Sequence, residues 1–98
     1  MKQTLPDAAL PAWNAYLAME ASKREHFSYL EELETKYKYG GSRTIAESMH
    51  LEGLLKKHDK QVAAFRQAIK TLQAEDAGAH QALIEHITML NAEPKASS

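Results

Sequence analysis

The segment 47–50 reads Glu-Ser-Met-His, a spacing that places a carboxylate and an imidazole one helical turn apart on the same helix face. Bundles that bind two iron or two manganese ions use two such pairs, together with one further glutamate from each of two other helices. One chain supplies only Glu47 and His50, but a symmetric dimer would supply two pairs. The further ligand from each chain would be one glutamate of the preceding helix, with Glu31, Glu34 and the adjacent Glu32 as candidates. The pattern therefore predicts, as one alternative, a dinuclear iron or manganese centre assembled at a dimer interface.

The run Leu-Glu-Glu-Leu-Glu at residues 30–34 is similar to part of the first helix of encapsulated ferritins, hairpin proteins that complete a ferroxidase centre when they dimerise. The resemblance implies metal-bound carboxylates on that helix. The resemblance covers five residues, and the connection between the first and second helices is shorter in this chain than expected for that family. A competing interpretation is a solvated, charged face, because Glu47 has the position of a helix-capping residue and Glu32 and Glu34 each precede a lysine by four residues.

Residues 36–43 contain three basic side chains, two tyrosines and no acidic residue. Basic groups interleaved with aromatic rings can hold a phosphate backbone and stack on bases, so Lys36, Lys38 and Arg43 are candidates for contact with nucleic acid. The competing interpretation is local. Lysines near the C-terminus of a helix complement its dipole, and the glycines within this run make a turn.

Two histidines, His26 and His58, are expected at nearly the same level on facing helices. Facing imidazoles can bind a divalent metal or form a pH-sensitive contact. The alternative is that both are half-buried residues with ordinary hydrogen-bond partners.

Composition excludes several other classes of function. The chain has no cysteine, so it has no disulfide, thiolate nucleophile, zinc–thiolate site or iron–sulfur cluster. A formal net charge of -1 argues against binding nucleic acid or an anionic membrane with the whole surface. No hydrolase, zinc-protease or phosphate-loop motif is present, so the sequence does not indicate an enzyme, a small-molecule substrate or any cofactor besides that iron or manganese. No apolar run suits a secretory signal or a membrane span, and we expect a cytoplasmic protein.

The elements that would position these residues are helices. Residues 13–39 lack glycine and proline, and their apolar positions recur every three or four residues, which predicts a first helix over 11–39. Gly40 and Gly41 end it, and the capping-box spacing of Thr44 and Glu47 begins a second helix over 44–75. A break at 76–78 precedes a third helix over 79–92, and we expect a flexible tail at 93–98.

The predicted fold is all-α, a single domain over residues 1–98 in which a long antiparallel helical hairpin and a short third helix form a three-helix bundle. A turn at residues 40–41 places Phe27 level with Leu55 and Leu33 level with Met49. The third helix is about 20 Å long, roughly half the length of the others. It can therefore cover only the end of the hairpin that is remote from the glycine turn.

The other half of the hairpin would expose more apolar side chains than two helices can bury. A large apolar patch on a monomer marks an interaction surface, and a two-fold dimer with a four-helix bundle is the simplest way to cover it. The leading hypothesis is an interaction module (an adaptor, chaperone or inhibitor-like regulator) that binds a second copy or another protein. The alternative is a third helix or N-terminal arm that slides along to cover the patch. The predicted surface comprises Phe27, Leu30, Leu33, Tyr37, Ile45, Met49, Leu51, Leu54 and Leu55.

Overall fold

The computed structural model of the protein describes residues 5–92, and within that range the regular structure is entirely helical. A short 3-10 helix, Asp7–Ala9, precedes α1 (Leu10–Lys36), α2 (Ile45–Glu75) and α3 (Ala77–Ala92). The all-α prediction is confirmed, with two long helices and a shorter third helix. The tail expected at 93–98 lies outside the described residues.

The first helix ends three residues earlier than predicted. Tyr37 N–H donates to the Leu33 carbonyl oxygen at 3.0 Å, but Lys38 N–H reaches back only three residues, to Thr35 at 3.3 Å. This tighter pattern is common at the C-terminus of a helix, where the last carbonyl groups have no N–H donor within the helix. The glycines at positions 40 and 41 then take positive φ angles of 122° and 97°, which reverse the chain as predicted.

The start of α2 has the predicted capping box. Glu47 N–H donates to Thr44 Oγ1 at 3.0 Å, and Thr44 N–H donates to Glu47 Oε1 at 2.9 Å. Two backbone N–H groups that have no acceptor inside the helix are thereby satisfied. Thr44 is therefore the N-cap, and the helix proper begins at Ile45.

The connection between α2 and α3 is shorter than predicted. Asp76 alone separates the helices, and its Oδ1 accepts a hydrogen bond from Ala79 N–H at 3.0 Å. The third helix therefore begins at Ala77, and Gly78 lies inside its first turn rather than in the break. The aspartate caps the new helix immediately after the old one ends.

Contacts across the hairpin agree with the expected register. Glu25 Oε1 lies 2.9 Å from Lys57 Nζ near the middle, and the ring centroids of Tyr16 and Phe65 are 5.7 Å apart farther from the turn. At the end remote from the turn, α3 packs into the hairpin around the fully buried Leu83. The buried cluster there consists of Ala9, Ala12, Leu72, Ala79 and Leu83.

The molecule is elongated because α3 covers only one end. Its principal extents are 53 × 34 × 16 Å, and its radius of gyration is 17.5 Å, against about 13 Å for a compact domain of this length. The half near the glycine turn is a layer two helices wide. Among the described helices, none combines the length and apolar composition that crossing a membrane requires.

Candidate functional site

The half of the hairpin near the glycine turn exposes large apolar side chains. Phe27 is 56% exposed, Leu55 44%, Met49 65% and Ile45 80%. Four other members of the predicted surface, Leu30, Tyr37, Leu51 and Leu54, are half-buried. Leu33 is only 5% exposed, so it packs between the two helices and does not belong to the accessible surface.

The hairpin has two open grooves near the turn, and their linings differ. One groove is lined by polar and charged groups, among them Glu25, Tyr29, Glu32 and His50, and we call this the polar side. Leu54 also lines this groove, although we predicted it among the apolar surface residues.

The second groove is lined by Leu30 and Tyr37 together with the polar residues Glu34, Ser42 and Arg43. Phe27 lies one turn before Leu30 and falls on the same side of α1. Leu51 and Leu55 lie one turn apart on α2 and share a face of that helix, which is rotated by about 100° from the positions of His50 and Leu54. We call the set Phe27, Leu30, Leu51 and Leu55 the apolar side.

Ile45 and Met49 belong to neither side. Glu47 faces α1, because its Oε1 accepts a hydrogen bond from the Tyr37 hydroxyl at 2.5 Å. Residues two positions away on a helix point about 200° apart, so Ile45 and Met49 lie on the outer face of α2. The nine predicted residues are therefore distributed over four environments instead of one continuous surface.

Glu47 is the most strongly engaged carboxylate of the described residues. Lys36 Nζ lies 2.5 Å from its Oε2, while Tyr37 and the Thr44 backbone N–H donate to its Oε1. These donors favour the charged carboxylate and lower the pKa of Glu47 to about 2, the lysine contributing most. The same contacts raise the pKa of Lys36 and of Tyr37.

A single chain does not bring the predicted metal ligands together. His50 meets the Tyr29 ring edge-on at 4.6 Å between centroids, whereas Glu47 is engaged with Lys36 and the cap. Glu31 and Glu34 line two other, separate depressions. In residues 5–92, no three histidine, aspartate or glutamate side chains are grouped so that they could hold a metal ion.

The basic residues near the turn have different environments. Lys36 is paired with Glu47, Lys38 Nζ lies 5.6 Å from the centroid of the Tyr39 ring, and Arg43 lines the same groove as Glu34. A phosphate backbone would therefore meet two cations here instead of the three that we predicted as candidates.

The predicted facing histidines are not partners. His58 Nδ1 lies 2.9 Å from Ser22 Oγ, and Ser22 is buried between the helices. His26 instead lies beside Phe27, its neighbour in sequence, at 5.9 Å between ring centroids. The interpretation as a half-buried histidine with an ordinary hydrogen-bond partner is correct for His58.

The candidate site is thus an open apolar surface bordered by charged side chains. The carboxylate of Glu47 is already hydrogen-bonded within the chain. Such an arrangement is suited to contact with another macromolecule. No protein-family model, curated protein or solved structure matches this chain.

Proposed function

We propose that the chain is a protein–protein interaction module, an adaptor, chaperone or inhibitor-like regulator, that binds through the apolar side of its hairpin. A second copy of the chain is the favoured partner. The observation that carries the proposal is the uneven coverage of the hairpin. The third helix buries Leu72 at one end, whereas Phe27 and Leu55 stay about half exposed at the other.

Burial of this surface on association is energetically favourable. Complete burial of a leucine or phenylalanine side chain contributes about 1.5–3 kcal/mol, so removing the remaining exposed area of several such residues supports association. Two hairpins that place their apolar sides together form a four-helix bundle, in which each helix gains a second neighbour. A two-fold arrangement uses the same surface on both copies and leaves none of it open.

Light scattering combined with sedimentation equilibrium tests self-association on the full chain. We expect a dimer at tens of micromolar, and we expect Phe27→Glu and Leu55→Glu each to shift it to a monomer because each would bury a carboxylate without a partner. The matched control is Leu17→Glu. Leu17 lies on α1 with 45% exposure, outside the apolar side, and its substitution should leave the mass of the dimer unchanged.

Two results would count against the proposal. One is a wild-type chain that remains monomeric up to the highest concentration reached. The other is a dimer whose mass is unaffected by both substitutions on the apolar side. Circular dichroism of each variant checks that a change in mass does not come from loss of the helices.

A further inference from the structure

We propose that the C-terminal half of α2 carries a second interaction surface, which binds an acidic amphipathic helix of another protein. The surface is a depression lined by Phe65, Arg66, Ile69 and Lys70, and we call it the basic groove. It begins about 15 Å from Leu55 along the helix, beyond the apolar side. The inference goes beyond the proposed function, because it adds a partner of different chemistry at a separate place.

The floor of the basic groove is apolar and fixed in place. Phe65 and Ile69 lie one turn apart on α2, and both are half-buried. The Phe65 ring packs against Tyr16 of α1 at 5.7 Å between centroids, and Ile69 packs against the buried cluster beneath the third helix. A partner therefore meets a preformed depression that it does not have to order, which lowers the cost of binding.

The rim of the basic groove is cationic. Arg66 and Lys70 are exposed and lie one turn apart, so two like charges are neighbours on the same helix face. Residues 60–74 contain three basic residues and no aspartate or glutamate, and neither rim cation forms an ion pair within residues 5–92. A like-charge pair at this spacing destabilises a helix, and the carboxylates of a partner would relieve the repulsion.

The arrangement of these side chains specifies the partner. The apolar row and the basic row run side by side along α2, each with a spacing of one turn. A helix laid alongside matches both rows when it carries apolar side chains one turn apart with carboxylates beside them. The depression encloses about 350 Å³, near the lower limit of about 300 Å³ for small-molecule sites, and its lining residues all belong to one helix. These properties favour the side chains of a partner over a bound cofactor.

An anionic membrane or a nucleic acid would also be attracted by the two cations, but both fit the basic groove less well. A helix that binds lipid inserts large apolar side chains into the acyl boundary, whereas Phe65 and Ile69 are recessed in a depression. Bases need an open aromatic face, and the Phe65 ring packs against Tyr16.

Titration of the full chain with a peptide tests the proposal. The probe is a capped helical peptide of about 16 residues, with leucines one turn apart and a glutamate beside each, and its matched control has glutamine in place of every glutamate. Nitrogen-15 NMR follows the backbone amides of the chain. We expect the acidic peptide to shift the amides of residues 62–73 and the glutamine peptide to bind about tenfold more weakly or less.

Two double substitutions on α2 locate the effect. Arg66→Glu with Lys70→Glu should weaken binding of the acidic peptide by about tenfold or more, because it sets carboxylates against carboxylates. Lys56→Glu with Lys60→Glu makes the same change of charge at two exposed positions outside the basic groove. Screening by salt should limit its effect to about threefold.

Several results would overturn the proposal. One is the absence of shifts at millimolar acidic peptide, and another is an equal loss of affinity in the two double substitutions. A third is cosedimentation of the chain with phosphatidylserine vesicles that Arg66→Glu with Lys70→Glu abolishes, which would assign the basic groove to a membrane surface. Light scattering on the same samples keeps this test separate from the proposed function, since neither double substitution lies on the apolar side and peptide binding does not require a dimer.

Discussion

Ser22 Oγ lies 2.9 Å from His58 Nδ1, joining the two long helices through a polar contact near the middle of the hairpin. The Ser22 hydroxyl also lies 2.9 Å from the Met19 carbonyl oxygen, which can only accept. Since a hydroxyl has one hydrogen to donate, the histidine must donate its Nδ1–H to the serine. Both groups are satisfied only when the helices meet in this register, so the pair selects one alignment of the hairpin.

We expect Ser22→Ala to lower the free energy of unfolding by about 1–2 kcal/mol, because it leaves the His58 N–H without a partner in a half-buried position. The measurement is urea denaturation followed by circular dichroism. Ser28→Ala is the matched control. Ser28 is an exposed residue of the same helix, and both substitutions share the gain of about 0.5 kcal/mol in helix propensity. Equal effects of the two substitutions would show that the buried contact contributes nothing.

The carboxylate of Glu47 should make the stability of the hairpin depend on acidic pH. Its pKa is about 2 in the folded chain, against an ordinary value of 4.5, so the folded state binds this proton less readily than the unfolded state does. The stabilising contribution is therefore complete above pH 4.5 and disappears as the pH falls to about 2. We expect Glu47→Gln to be less stable than wild type at neutral pH. Its free energy of unfolding should approach that of wild type as the pH falls to about 2.

The control for that titration is Glu52→Gln, since Glu52 is exposed and makes no ion pair within residues 5–92. Its difference from wild type, measured at the same pH values, gives the effect of removing an exposed carboxylate that lacks these hydrogen bonds. A difference for Glu47→Gln that stays constant from neutral to acidic pH would contradict the hydrogen-bond network around the carboxylate. Carbon-13 NMR of the Glu47 side chain should also show a higher pKa in Tyr37→Phe, which removes one donor.

Helical periodicity, the glycine pair and the capping box were sufficient to predict the fold. These signals are local: Thr44 and Glu47 satisfy backbone groups within one turn, and the glycines have the positive φ angles that most other residues avoid. The end of α1 was less predictable. Tyr37 and Lys36 turn toward Glu47 on the next helix, and a tertiary contact of this kind leaves no periodic trace in the sequence.

The candidate site was predictable as a region but not as a set of side chains. The periodicity shows that Leu33 and Leu54 lie on the faces of their helices near the partner helix, but it does not show which side of the seam each one enters. One exposed ion pair was also misplaced. Lys36 pairs across the turn with Glu47 instead of with Glu32. Such pairs differ by only a few tenths of a kcal/mol, so spacing does not select among them.

Docking of the third helix should depend on Leu83, which is fully buried against Leu72 and three alanines. We expect Leu83→Ala to cost about 2–5 kcal/mol, because it removes fully buried methyl groups and leaves a cavity between α3 and the hairpin. Leu90→Ala, at an exposed position of the same helix, should cost much less. Thermal unfolding measures both variants. Comparable losses of stability in Leu83→Ala and Leu90→Ala would contradict the position of α3 at this end of the hairpin.

Gly53 and Gly41 should respond in opposite directions to the same substitution. Gly53 lies inside α2, and a Cβ added there meets no atom within 4 Å, so Gly53→Ala should raise stability by about 1 kcal/mol through helix propensity alone. Gly41 has a φ of 97°, and its added Cβ would come within 3.1 Å of the Tyr37 ring. Gly41→Ala should therefore cost about 1–2 kcal/mol from the positive φ, and it should also disturb the tyrosine that donates to Glu47.

Chemical denaturation measures the free energy of unfolding of both variants. A loss of stability in Gly53→Ala would mean that another chain packs closely on the outer face of α2, whereas a neutral Gly41→Ala would mean that the turn adopts another conformation.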